Sequence, residues 1–207
     1  MSQRTPVLDP SIDDLIQAYE REGPIAVSEE TYVRIALEDP DTKWELHDGL
    51  LVEKPGMSFT HLTVVMLLGS SITRQVDPRQ FLVITNDGRL RRTPRNYLIP
   101  DVSVVSLELL RRLRQAQPEG LGVFDEPLLF VAEVWSRSTG RYDANVKIPT
   151  YQLRGDQEIW RLHPFERTVT AWRRRPDGTY DELRFTSGKI QLHALPSVVV
   201  DLDALFA

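Results

Sequence analysis

The chain contains no cysteine. Disulfides, thiolate metal sites and a cysteine nucleophile are therefore excluded, and a reducing, cytoplasmic setting is the matching expectation. Its longest apolar runs are about eight residues, far short of the roughly 20 that a membrane-spanning helix needs. The opening MSQRTPVLDPSIDDL has no apolar stretch of the leader type. A membrane is thus not expected among its partners. There is no glycine-rich phosphate loop and no Gly-x-Ser-x-Gly elbow, which removes P-loop chemistry and the serine-hydrolase mechanism. His47, His61, His163 and His193 have no tight zinc spacing. Lysine is scarce as well: only Lys43, Lys54, Lys147 and Lys189 occur among 25 basic residues. Arginine serves almost everywhere a positive charge will do, which draws attention to Lys147, with an ordinary surface lysine as the competing reading.

What remains is ordinary globular material: 207 residues, 41% apolar and 27% charged. A chain of this length buries roughly 70% of its unfolded surface, enough for a core without staples. The net charge of −5 is unevenly spread. Residues 1–60 hold 13 acids and 5 bases, whereas residues 61–207 hold 17 acids and 20 bases. The second part carries arginine clusters at Arg89, Arg91, Arg92 and Arg95, at Arg111, Arg112 and Arg114, and at Arg173, Arg174 and Arg175. Guanidinium forks suit phosphate contacts. The competing reading is a set of solvated strand and helix faces.

The pattern predicts a short helix over Ile12–Glu20 and a second one, capped by Ser28, running to about Glu38. Asp48-Gly49 between two alternating stretches reads as a hairpin. A helix is expected from His61 to Val76 with Thr60 as its cap and Leu62, Val65, Gly69, Ile72 and Val76 as its apolar stripe. Phe81–Thr85 and Arg89–Arg92 read as strands around Asn86-Asp87-Gly88. Leu98–Val105 reads as one strand with Pro100 near its start, and Ser106–Gln117 as a short basic helix. Leu128–Trp135 is an almost unbroken apolar run, as expected of a central strand covered on both faces. A helix with Pro149 inside it or at its start ends at Gly155. Strands then dominate to the C-terminus. The expected organisation is an N-terminal extension over residues 1–41 and an α/β domain over residues 42–207.

Two carboxylates stand out against this background. Glu133 sits in Leu128–Trp135, and Asp101 sits in Tyr97-Leu98-Ile99-Pro100-Asp101-Val102. An unpaired charge in a dry strand costs several kcal/mol, so each needs a cation, a metal or a raised pKa. Two such acids meeting at one end of a sheet would form an all-oxygen site of the kind Mg²⁺ or Mn²⁺ occupies. The alternative is that each pairs with an arginine. Lys147, close behind Ser136–Asp143, could supply an ammonium that orients a water or shields a developing oxyanion.

Pro100-Asp101, Glu133-Val134-Trp135-Ser136 with Ser138-Thr139, Asp143-x-x-x-Lys147 with Tyr151, and Gly155 with Glu158-Ile159-Trp160 together resemble the Uma-two family. That family is described as candidate restriction endonucleases of the PD-(D/E)XK nuclease superfamily. Glu45-Leu46-x-Asp48-Gly49, Met57-Ser58 and His61 match its entry pattern. Leu195-Pro196 and Leu202–Phe206 match its ending. The resemblance covers roughly residues 42–206.

It implies a restriction-endonuclease-like mixed β-sheet flanked by helices, with an N-terminal helical and hairpin extension and a β-rich C-terminal part. It implies that Asp101 and Glu133 ligate Mg²⁺ or Mn²⁺, with the Val134 carbonyl as a further ligand. The superfamily lysine usually lies two residues after the second acid, where this chain has Trp135. Lys147 matches the place to which this family moves it. Other departures are Pro149 and Arg161-Leu162-His163-Pro164, where an acid commonly precedes the proline.

The expected activity is metal-dependent hydrolysis of DNA, with His61 as an additional catalytic candidate. The bland reading of His61 is a structural hydrogen-bonder at a helix entry. Glu45 is a further candidate acid from the first hairpin, with an exposed strand carboxylate as its alternative, and Asp143 reads as a helix cap rather than a ligand. Rival readings are a catalytically inactive nuclease-fold module that binds nucleic acid or a protein partner, and a structural oligomer built through the β-rich tail. A homodimer suits the cutting of two strands.

Overall fold

Polar side chains cap the starts of five helices of this chain. The computed structural model describes residues 11–136 and 140–207; the side chains of Arg141 and Asp143 lie outside the described residues, as does the expected Ser138-Thr139 loop. The expected capping role of Asp143 therefore falls outside as well. Helix α1 (Ile12–Glu22) opens on Ser11, whose hydroxyl accepts the Asp14 N–H while the Asp14 carboxylate accepts the Ser11 N–H. Two otherwise orphaned donors are thereby satisfied. After β1 (Ile25–Ala26), α2 (Glu29–Glu38) begins on Ser28, as its sequence predicts. Strands β2 (Trp44–His47) and β3 (Leu50–Glu53) form the Asp48-Gly49 hairpin. Both turn residues have positive φ, 51° and 83°, which matches the twist of paired strands.

Helix α3 (Phe59–Thr73) departs from its prediction. Ser58 is the cap, its hydroxyl accepting the His61 N–H, so Thr60 lies inside the first turn and the helix stops before Val76. Of the expected stripe, Val65, Gly69, Ile72 and, past the helix end, Val76 are buried and only Leu62 is exposed; His61, Val64 and Leu68 complete the buried face. One residue of rotation is about 100°, which separates the exposed Leu62 from the buried His61. The face carrying His61 turns inward.

Strands β4 (Phe81–Thr85), β5 (Arg89–Thr93), β6 (Asn96–Leu98) and β7 (Val102–Ser106) follow. The strands on either side of Asn86-Asp87-Gly88 do not pair with each other: β4 joins β7, and β5 joins β6 and β8. The single strand expected over Leu98–Val105 is also two strands, broken at Ile99-Pro100-Asp101. Pro100 brings a fixed φ and no N–H, so the chain leaves one ladder and enters another there.

Helix α4 (Leu107–Ala116) is capped by Ser106. It is followed by β8 (Val123–Phe124) and by β9 (Phe130–Val134). A short helical stretch α5 (Gly140–Tyr142), a wide π-type turn over Asp143–Lys147 and α6 (Ile148–Arg154) run on continuously. Pro149 stands in the first turn of α6, where a missing N–H costs no helical bond. The chain ends with β10 (Glu158–His163), β11 (Thr168–Arg174), β12 (Tyr180–Phe185), β13 (Lys189–Gln191), β14 (Val199–Asp201) and α7 (Leu202–Leu205).

Two mixed sheets result. The first has the order β1-β3-β2-β6-β5-β8 and the second β12-β11-β10-β9-β7-β4, with β13–β14 as a separate hairpin. Strand β9 lies in the middle of the second sheet, antiparallel to β7 and parallel to β10, and all five of its residues are buried. One of its faces packs Ala132 and Val134 with Val65, Leu68 and Ile72 of α3. The other packs Val131 with Ile148, Tyr151 and Ile159. Each fully buried aliphatic or aromatic side chain of this kind contributes about 1.5–3 kcal/mol. Tyr32, Ile35 and Ala36 of α2 pack against Trp44, Leu46, Leu51 and Tyr97 of the first sheet. Among the described residues no helix is long and apolar enough to cross a membrane.

Candidate active site

The site forms where the chain passes from the first sheet to the second. Asp101 closes this crossing and is buried. Its Oδ2 accepts the Val134 N–H at 2.7 Å and meets His61 Nε2 at 2.8 Å. Its Oδ1 accepts from Lys54 Nζ at 2.8 Å. Lys54 stands just past the end of β3 and also reaches the Ile99 carbonyl at 2.9 Å and Asn86 Oδ1 at 3.3 Å. Helix α3 supplies His61 from its first turn, which explains why that face is drawn inward.

Glu133 occupies the neighbouring strand. Its Oε1 accepts the Tyr151 hydroxyl at 2.5 Å and lies 3.3 Å from Lys147 Nζ. The wide turn over Asp143–Lys147 delivers this lysine, and turns of that type recur at functional sites. Lys147 Nζ lies 2.9 Å from Glu45 Oε1 and donates to the Ile99 carbonyl at 3.2 Å. Glu45 Oε1 also accepts the Ile99 N–H at 2.6 Å, and its Oε2 meets His47 Nε2 at 2.7 Å. The His47 ring stacks on Tyr142 at 4.3 Å. Asp101, Glu133, Glu45, His61, Lys54, Lys147, His47 and Tyr142 all line one cavity of about 330 Å³, a size within the range of small-molecule and substrate pockets.

Three carboxylates thus face two ammonium groups in a buried space. Burial alone would raise the carboxyl pKa values, but the opposing cations win. Against burial, the Lys54 ammonium and then the His61 hydrogen bond hold Asp101 well below the usual carboxylate range. Against burial, Lys147 and His47 bring Glu45 down to about 2.

The expected metal can be tested against this donor set. Asp101 and Glu133 offer hard carboxylate oxygens to a common cavity, and the buried His61 Nδ1 has no hydrogen-bond partner among the described residues. Those residues contain no ready-made cage of three His, Asp or Glu. Magnesium-class ions rarely use one: a couple of carboxylates plus substrate oxygens suffice. The donor chemistry fits.

The structure therefore brings Asp101, Glu133, Lys147 and His61 to one cavity; Val134 does not line it and meets the site only through the N–H that Asp101 accepts. Glu45 is not the exposed strand carboxylate of the alternative reading: it is buried and paired to Lys147. Among the described residues, the cations that meet Asp101 and Glu133 are Lys54, His61 and Lys147. Lys54, His47 and Tyr142 went unnoticed in the sequence. The signal for Lys54 was present, since it is one of only four lysines. The His47–Tyr142 stack joins residues far apart in the chain and left no local trace.

Two sheets joined by a crossing that carries Asp101, with Glu133 on the neighbouring strand and a lysine pair around them, define a restriction-endonuclease-like α/β protein. A family model described as "Uma2: Putative restriction endonuclease" matches residues 29–203, and the chain belongs to this family. Its fold is similar to the crystal structure of "a putative nuclease belonging to DUF820" from Anabaena variabilis ATCC 29413, with a TM-score of 0.70. The two are 18% identical, over 87% of this chain and 97% of the other. No curated protein matches the chain.

Proposed function

We propose that this protein is a divalent-metal-dependent nuclease that hydrolyses DNA phosphodiester bonds. The observation that carries this reading is the approach of Lys147 Nζ to Glu133 Oε1 at 3.3 Å. It restores an acid–lysine pair although Trp135 holds the usual lysine position.

Asp101, Glu133 and the Val134 carbonyl would hold Mg²⁺ or Mn²⁺. When bound, such an ion neutralises phosphate charge and lowers the pKa of a coordinated water. The protein's own groups do the rest. Lys147 is held by Glu45 and the Ile99 carbonyl, so its ammonium is fixed in advance where it can orient the attacking water and face the developing charge. His61 and the Val134 N–H set the orientation of Asp101. Tyr151 does the same for Glu133. Basic side chains outside the cavity hold the backbone through its phosphates.

Nicking of supercoiled plasmid in Mg²⁺ or Mn²⁺ tests the proposal. Wild type is expected to nick and Glu133→Ala to be silent; equal silence of both across metals overturns it. One observation favours a second reading, a nuclease-fold DNA-binding module without catalysis: Lys54 already neutralises Asp101 at 2.8 Å. That reading requires DNA retention indifferent to Glu133→Ala and to chelator. A homodimer, which would present two such cavities to two strands, is tested by sedimentation.

A further inference from the structure

On one face of the β9–β10 pair, three register steps follow one another. Val131 lies opposite Ile159, Glu133 lies opposite Arg161, and beyond the end of β9 Trp135 stacks on His163. The first step is buried core and the second carries the acid of the site. Same-face residues along a strand are about 6.6 Å apart, so the ring pair begins a single step past the carboxylate.

The third step is rigid. The Trp135 and His163 rings lie 4.3 Å apart at 26°. Phe165, in the turn between β10 and β11, sets itself against Trp135 at 5.8 Å and 87°. Gly140 abuts the indole so closely that a Cβ there would overlap it. Yet Phe165 remains 61% exposed. A large ring that exposed gains little from the hydrophobic effect, although two further rings back it. The charged step has its own surplus: the half-buried Arg161 guanidinium makes no hydrogen bond or ion pair with any described residue.

We infer that Phe165, backed by Trp135 and His163, is a stacking platform for an unpaired nucleobase beside the scissile phosphate, with Arg161 contacting an adjoining phosphate. This rests on the nuclease reading of the Glu133 cavity and adds the substrate class: a strand that is single-stranded or locally unpaired at the cut. Bases inside a duplex are stacked on both faces and cannot lie on Phe165 unless extruded. Aromatic stacking is sequence-tolerant, because every base has a π-face. The placement also gives Trp135 a role: with the lysine delivered from the turn before α6, its strand position is open to a ring.

The test is binding rather than cleavage, so its outcome is separate from that of plasmid nicking. Fluorescence anisotropy of the full chain, with Ca²⁺ replacing Mg²⁺, compares a labelled dT12 strand, an rU12 strand and a blunt duplex. Wild type is expected to bind a single strand more tightly than the duplex. Phe165→Ala is expected to lose about 5- to 100-fold on the single strand, with little change on the duplex and an unchanged melting temperature. Phe165→Trp is expected to restore binding. The DNA and RNA strands identify the source of the nucleotide, and a Phe165-dependent loss on either supports the platform. Single-strand binding indifferent to Phe165→Ala, tighter binding of the duplex, or no binding of any of the three overturns it. A nuclease inactive on plasmid that still shows the Phe165-dependent loss would refute catalysis and leave the platform standing.

Discussion

Lys54 and Lys147 donate to the same backbone oxygen, the carbonyl of Ile99, at 2.9 and 3.2 Å. One of them also holds Asp101, and the other holds Glu45 and Glu133. The peptide at which the chain changes sheets is therefore fixed between two ammonium groups, and the carboxylates around it are tolerated in a buried space because those groups are there.

Removing one ammonium should expose that dependence. Lys147→Met leaves Glu45 and Glu133 without their shared cation, and breaking a buried pair in this way costs about 3–5 kcal/mol. Chemical denaturation should show the loss. Adding Glu45→Gln to Lys147→Met should recover part of the stability and none of the nicking activity, which separates the structural role of the lysine from the chemical one.

Tyr151 donates its hydroxyl to Glu133 and does not itself line the cavity. Tyr151→Phe keeps the buried ring and removes only the donor. A stability loss of about 1 kcal/mol and a drop of about 10–100-fold in activity or metal affinity are expected, measured by thermal melting and by nicking rate against Mg²⁺ concentration. An unchanged metal dependence would show that the hydroxyl is purely structural.

A divalent ion that binds only the folded site stabilises it by mass action, by about 2.7 kcal/mol at a hundredfold excess over Kd. Mn²⁺ should raise the melting temperature of wild type in a saturable way. Glu133→Gln and Asp101→Asn should each abolish the rise, whatever their own melting temperatures in chelator.

Acid should weaken the metal-free protein through Glu45. Its pKa is lowered in the fold from about 4.5 to about 2 because Lys147 and His47 overcome the effect of burial. A lowered folded-state pKa means that the contribution is complete above pH 4.5 and is lost as pH falls toward 2. Linkage sets it at about 3 kcal/mol. Urea unfolding in chelator between pH 5 and pH 2 measures it, and Glu45→Gln should flatten that part of the curve.

Much of the framework was legible because its causes are local. Ser28 and Ser106 cap helices that begin one residue later, Asp48-Gly49 makes its hairpin, and Pro149 falls in a first turn, each decided by atoms within a few residues. The Leu128–Trp135 run announced a strand buried on both faces, and the acids within apolar strands marked themselves as costly. The failures were choices between locally similar options. Ser58 and Thr60 are both good caps, and in the first turn of α3 His61 rather than Leu62 joins the buried stripe. Around Asn86-Asp87-Gly88, turn chemistry cannot reveal that β4 and β5 enter different sheets.

The amino-acid sequence alone determined that Asp101 and Glu133 needed partners and where most helices and the central strand lie. Only the tertiary structure decided which partners they have. Lys54 is 47 residues from Asp101, and His61 is 40. Contacts over such separations arise from sheet order and helix facing, and the buried charges they neutralise are stable only once both sheets have packed.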